Sequence, residues 1–158
     1  MPRVVEVGRS QTRLLGVLLL ASGLATLGCN PAPMPTHPVS GQVVYPDGST
    51  LPRGGRVRFY CDEVDPPLTA EGRFDENGQF TALTTFKAGD GAVAGTHSVI
   101  VLPDIPDDKG EMSQQEFEKA SRPIDRRFKG FKTSGLEFTV QPDQPNEFRI
   151  EVHPPRRR

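Results

Sequence analysis

Cysteine is scarce in this chain, with two among 158 residues, and tryptophan is absent. Two cysteines cannot build the disulfide framework of a small secreted scaffold. Net charge is also nearly absent, since 19 basic side chains face 20 acidic ones for a net of −1. A nucleic-acid-binding domain usually carries a strongly basic surface, so that class is disfavoured and no nucleic acid is expected as a partner. No apolar run reaches the roughly 20 residues of a membrane-spanning helix. The chain is too short for a second core of ordinary size, which excludes a large multi-domain enzyme.

Catalytic and metal signatures are missing as well. There is no H-x-x-x-H or C-x-x-C spacing, G-x-S-x-G elbow, phosphate-binding loop or dinucleotide fingerprint. The three histidines, His37, His97 and His153, lie far apart in the chain. His97 shares a phase with Val99 and Val101, which points to a core imidazole rather than a ligand. Acidic loops occur at Asp62, Glu63 and Asp65 and again at 75–77, without the spacing of an EF-hand. Turn and solvation roles are expected there, with weak Ca²⁺ binding the alternative. The expectation is therefore no catalytic residues, no metal and no cofactor.

What is present begins with an address. Arg3, Arg9 and Arg13 precede an uncharged stretch over 14–28, which ends Leu27-Gly28-Cys29. A positive segment, a short apolar run and small terminal residues form the layout of an export signal. A small residue directly before cysteine resembles the lipobox of bacterial lipoproteins, with Thr26 where that pattern prefers Leu, Val or Ile. The resemblance implies cleavage between Gly28 and Cys29, lipid on Cys29, and a membrane partner reached through that lipid. It also implies a place in the bacterial cell envelope, on the outer membrane or the periplasmic face. Asn30, which is not Asp, leans toward the outer membrane. Losing residues 1–28 removes three basic groups and one acidic group, leaving 16 against 19. If Cys29 carries lipid, Cys61 has no partner in the chain, and a buried, inert thiol is expected.

Residues 29–37 are rich in proline and read as an extended linker that holds a domain off the membrane. From residue 38 to 154 the chain reads as strands separated by turns. Seven are expected, over 39–45, 56–61, 68–74, 79–86, 97–102, 136–140 and 148–152. In 56–61, Val57, Phe59 and Cys61 alternate with Arg56, Arg58 and Tyr60. In 79–86 the inward phase is expected at Phe80, Ala82, Thr84 and Phe86. The run 97–102 is apolar on both phases, as a central strand would be. The signals Pro46-Asp47-Gly48 and Asp75-Glu76-Asn77-Gly78 mark turns. The pattern gives an all-β fold, a seven-stranded β-sandwich with one short helix.

That helix lies in a polar insertion over 103–134. Ser113 and Glu116 fit a capping box, with Met112 and Phe117 placed for a staple-like contact and Pro123 to stop the helix. Asp104, Asp107, Asp108 and Glu111 precede it, and Arg126, Arg127, Lys129 and Lys132 follow. A solvated crossover between sheets is expected there. The alternative is an envelope enzyme with an acid/base pair in the insertion. Residues 155–158 form a basic tail, expected to be solvated, with anionic lipid or polysaccharide as a possible contact.

The motifs in order resemble carboxypeptidase regulatory-like, transthyretin-like domains. Val39-Ser40-Gly41-Gln42-Val43 is similar to their first strand. Asp47-Gly48-Ser49-Thr50-Leu51-Pro52 before Val57-Arg58-Phe59, and Phe74-Asp75-Glu76-Asn77-Gly78-Gln79-Phe80, resemble their turn motifs. Gly95-Thr96-His97-Ser98-Val99 resembles the start of a later strand, with His97 where Tyr is common. The resemblance implies a prealbumin-like (Ig-like) sandwich and no reaction, because its members are mostly accessory modules. A transthyretin-related hydrolase of this fold class ends in Tyr-Arg-Gly-Ser, whereas this chain ends His153-Pro154-Pro155-Arg156-Arg157-Arg158. The combined expectation is a non-catalytic, lipid-anchored binding or structural module for an envelope protein or glycan.

Overall fold

The alternation of Val57, Phe59 and Cys61 with Arg56, Arg58 and Tyr60 is realised in a strand whose first set is buried and whose second set is half-exposed. A computed structural model describes residues 34–106 and 112–156, all within one compact unit, Ala32–Arg158. Gly28, Cys29, Asp107, Asp108, Glu111, Arg157 and Arg158 lie outside the described residues.

In chain order the strands are β1 (Thr36–His37), β2 (Val39–Val44), β3 (Gly55–Cys61), β4 (Leu68–Phe74), β5 (Gln79–Phe80), β6 (Ala92–Val93) and β7 (Gly95–Pro103). Helix α1 (Gln114–Ser121), a 3-10 helix (Arg126–Lys129) and α2 (Phe131–Ser134) follow, then β8 (Leu136–Val140) and β9 (Asn146–Glu151). The fold is all-β with a few short helices. Among the described residues there are nine strands in three sheets, against the seven expected. The two additional strands are β1 and β6, which pair as Thr36 with Val93 and His37 with Ala92. Two-residue strands carry too little alternation to be seen as a period of two. Thr36 and His37 belong to the proline-rich run, and here they are hydrogen-bonded to the domain.

A four-stranded antiparallel sheet runs β4-β3-β7-β8 and a three-stranded sheet runs β5-β2-β9. β7 is interior to its sheet, as its apolar sequence requires. β2 and β9 pair in parallel, from Val39 opposite Asn146 to Val44 opposite Glu151. The first and last long strands therefore run side by side in the same direction. At their closest approach only glycine fits, since a Cβ on Gly41 would sit 2.0 Å from the Phe148 carbonyl oxygen.

The two larger sheets share one core. Phe59, fully buried on β3, lies 6.3 Å from Phe80, 6.2 Å from Phe138 and 6.0 Å from Phe148, ring centre to ring centre. It thereby joins β3 to β5, β8 and β9. Such aromatic pairs contribute about 0.5–1.5 kcal/mol each beyond the area they bury.

The expected strand over 79–86 ends early. After Asp75–Gly78 turns the chain, Gln79 and Phe80 pair with β2, and the backbone then leaves that sheet. Thr84 exchanges two backbone hydrogen bonds with Glu71 on β4. The crossing changes the phase, so Leu83 is buried while Ala82, Thr84 and Phe86 are exposed. Asp90 braces this segment by accepting from the backbone N–H groups of Thr85, Phe86 and Lys87.

The insertion is neither a crossover between sheets nor purely solvated, since it joins β7 to β8, antiparallel neighbours in one sheet. Its first helix starts as expected: Ser113 N–H and Oγ donate to Glu116 Oε2 at 3.0 and 2.7 Å, and Glu116 N–H donates back to Ser113 Oγ at 3.3 Å. Beyond Pro123, however, Ile124 and Phe128 are buried in the common core. Phe131 lies 5.2 Å from Tyr60, ring to ring. Two apolar side chains in a polar segment were enough to dock it.

Candidate functional site

At the Val44–Glu151 end of the paired β2 and β9, three distant segments meet. Tyr45 leaves β2 and donates its hydroxyl hydrogen to the Pro123 carbonyl at 2.9 Å. Asp125 N–H donates to the His153 carbonyl at 2.7 Å. The His153 ring stacks on Phe128 at 6.0 Å and 17°. These contacts hold the second half of the insertion against the end of β2 and the segment after β9.

The surface so formed has two adjoining grooves. One has a volume of about 830 Å³ and is lined by Arg122, Arg126, Lys129 and Arg156, with Asp125 as its one acid. The other has a volume of about 420 Å³; Tyr45, Pro52, Pro123 and Pro154 form its apolar wall, and Glu116 adds a carboxylate to its lining. Arg122 and Pro155 line both. On the far side of Arg126 and Lys129 a third hollow of about 440 Å³ is floored by Gly130 and Thr133.

The basic groups here differ from those on the four-stranded sheet. There, Arg58 pairs with Glu71 directly across β3 and β4, Arg56 reaches Glu71 at 3.7 Å, and Arg73 reaches Asp104 at 2.6 Å. Among the described residues, Arg122, Arg126, Lys129 and Arg156 make no ion pair. Asp125 is already engaged, since its Oδ1 accepts from Arg127 N–H at 2.9 Å and caps the 3-10 helix. Arg127 lies over the Phe128 ring at 4.5 Å. Four cations that make no ion pair among the described residues therefore line one groove beside the single carboxylate of Asp125, in a chain whose net charge is −1. Tyr45 at the rim has its pKa raised, by burial first and then by the neighbouring Asp47.

Of the residues singled out from the sequence, Arg126, Lys129 and Arg156 line the basic groove and His153 makes the contacts just given, while His97, Cys61 and Glu63 lie elsewhere. His97 is 1% exposed, with Nδ1 3.0 Å from the Gly95 carbonyl. Burial pushes its pKa down, against the opposing pull of that carbonyl and of Glu63. Cys61 is buried and unpaired in a disulfide. Glu63 accepts from Thr96 N–H at 3.0 Å, which holds its carboxyl below the usual range. Among the described residues no cluster of three or more His, Cys, Asp or Glu could hold a metal ion. Three of the four described acids of the insertion are engaged, Asp104 with Arg73 on β4, Glu116 with Ser113, and Asp125 with Arg127 N–H, and Glu118 is exposed on α1. The Ser113 hydrogen bonds hold the Glu116 carboxyl below the ordinary range, the opposite of what a general acid needs.

Sequence reading treated 126–132 and the basic tail as separate charge runs. Their meeting at Tyr45 depends on the parallel pairing of β2 with β9, which no local pattern announces. Tyr45 directly before the Pro46-Asp47-Gly48 turn was the one local signal, an aromatic at the tip of a strand.

No protein-family model, curated protein or solved structure matches this chain.

Proposed function

We propose that this chain is a non-catalytic, lipid-anchored protein of the bacterial cell envelope, whose β-sandwich is a binding module for protein or glycan. The observation that carries the reading is the convergence beside an apolar wall of Arg122, Arg126, Lys129 and Arg156, which make no ion pair among the described residues. Clustered cations repel one another, and an incoming polyanion relieves that repulsion and is steered to the site by their combined field.

Three further features support it. The sequence over 1–29 has the layout of a lipoprotein signal ending at Gly28-Cys29. The proline-rich run joins β2 at Val39, and the groove lies at the other end of that strand. Five steps of about 3.3 Å separate these ends, roughly 17 Å. The groove is thus set apart from the point where the proline-rich run enters β2. Finally, the shared core of two sheets, with strands over seven of the segments read from the sequence, suits a prealbumin-like sandwich.

The test is fractionation of bacteria expressing the wild type or Cys29→Ala. Wild-type protein is expected in the membrane fraction and in the detergent-rich phase, and the variant outside it. Equal membrane retention of both would point to an uncleaved anchor, and equal solubility to simple export; either overturns the lipid reading.

A further inference from the structure

We infer that the groove at the Val44–Glu151 pole binds an acidic polysaccharide, with Arg122, Arg126, Lys129 and Arg156 holding its oxyanions and the Tyr45–Pro52–Pro123–Pro154 wall supporting sugar rings. This deepens the binding reading above and rests on it for biological context.

The chemistry selects the ligand in two steps. First, the charge: three guanidinium groups and one ammonium line a groove whose own acid is Asp125, and Glu116 lines the adjoining groove, so the cations outnumber the carboxylates by four to two. A guanidinium fork matches the two oxygens of a carboxylate, sulfate or phosphate. Second, the size: grooves of about 830 and 420 Å³ share Arg122 and Pro155, so the basic and apolar parts form one extended track. A single phosphate would engage one or two of the four cations and leave the apolar wall bare. A chain of sugars carrying oxyanions at intervals fills both, its C–H faces against proline and tyrosine.

The scaffold is fixed before any ligand arrives. Ile124 and Phe128 anchor the 3-10 helix in the core, and the Asp125–His153 backbone hydrogen bond ties it to the segment after β9. Arg126 and Arg156 are exposed and make no ion pair among the described residues, so replacing them leaves the core untouched.

The experiment measures binding of the full-length, detergent-solubilised protein to polygalacturonate and to heparin, which present carboxylate and sulfate respectively. Neutral dextran and phosphatidylglycerol vesicles are run in parallel. The wild type is expected to bind at least one acidic polysaccharide, not dextran, and to release it as salt rises. Each basic group near an anionic surface contributes a factor of about five, so Arg126→Ala/Arg156→Ala should weaken binding by more than about ten-fold. Arg149→Ala removes an exposed cation from a different hollow, on β9, and should leave binding within about two-fold. Equal losses in the two variants would mean diffuse attraction and overturn the site. Binding to vesicles alone, or no binding to either polysaccharide, would overturn the ligand class. The outcome is separable from the anchoring claim. A lipidated protein without affinity refutes only the inference, and an unlipidated protein that binds refutes only the anchor.

Discussion

Asn146 Nδ2 donates to the Pro38 carbonyl at 3.2 Å, joining residues 108 apart in sequence at the two margins of the domain. Pro38 directly precedes β2, and Asn146 opens β9, its parallel neighbour. The same amide group reaches the carbonyls of Gln141 and Gln144, and Asn146 Oδ1 accepts from Gln141 N–H at 2.9 Å. One buried side chain thus holds the β8–β9 turn and clamps it to the start of the domain.

Replacing Asn146 with Ala should therefore destabilise the fold by about 2–3 kcal/mol, as several hydrogen bonds of about 1 kcal/mol each are lost around a buried site. Urea unfolding of the full chain checks this. A change below about 0.5 kcal/mol, the range of ordinary surface substitutions, would contradict the clamp.

Phe128→Ala should cost about 3–5 kcal/mol, the range for emptying a buried phenylalanine site. It should also loosen the groove, because Phe128 carries the 3-10 helix and stacks on His153. Hydrogen exchange over 124–134 would rise before the rest of the domain. Were the insertion merely solvated, both effects would be absent.

Acid should weaken the fold in two separate windows. His97 is buried, and its folded pKa lies below the ordinary 6.5. The unfolded chain then takes up a proton first, so stability is full above pH 6.5 and falls as the pH drops from there toward the folded value. His97→Phe should flatten that part of a melting-temperature profile. Asp47, Glu63, Asp90 and Glu116 are held below their ordinary values. Their contribution is intact above the carboxylate range and disappears only below it, so the lower window should survive the His97 substitution.

Cys61 should be unreactive in the native protein, since its sulfur is buried between the sheets. With Cys29 acylated, a thiol reagent should find no reactive group in native membrane-derived protein and one after unfolding. A thiol that reacts before unfolding would place a free cysteine at the surface and argue against lipid on Cys29.

Parts of this fold are legible in the sequence because their causes are local. Alternation buries Val57, Phe59 and Cys61, while Ser113 and Glu116 cap a helix across three residues. Asp75 Oδ1 accepts from Asn77 and Gln79 N–H in a turn that Gly78 completes at φ +73°. Other parts depend on distant partners. Leu83 turns inward because the chain switches from β2 to β4, and the period seen at Phe80 does not continue through that switch. Ile124 and Phe128 find the core only once β2, β7 and β9 are assembled. The groove needs Tyr45, 122–129 and 155–156 together, and their union follows from the parallel β2–β9 pair. Cys29 is legible only as a motif, and its chemistry is a matter for direct measurement.

That measurement is the intact mass of wild-type protein extracted from bacterial membranes, beside Cys29→Ala. The account predicts a wild-type chain that begins at Cys29 and carries acyl chains, with both the acyl mass and the membrane association lost in the variant. An unacylated mass in both, with the protein exported in soluble form, would contradict it. Cys29 would then be an ordinary thiol, and the groove would belong to a free periplasmic or secreted protein.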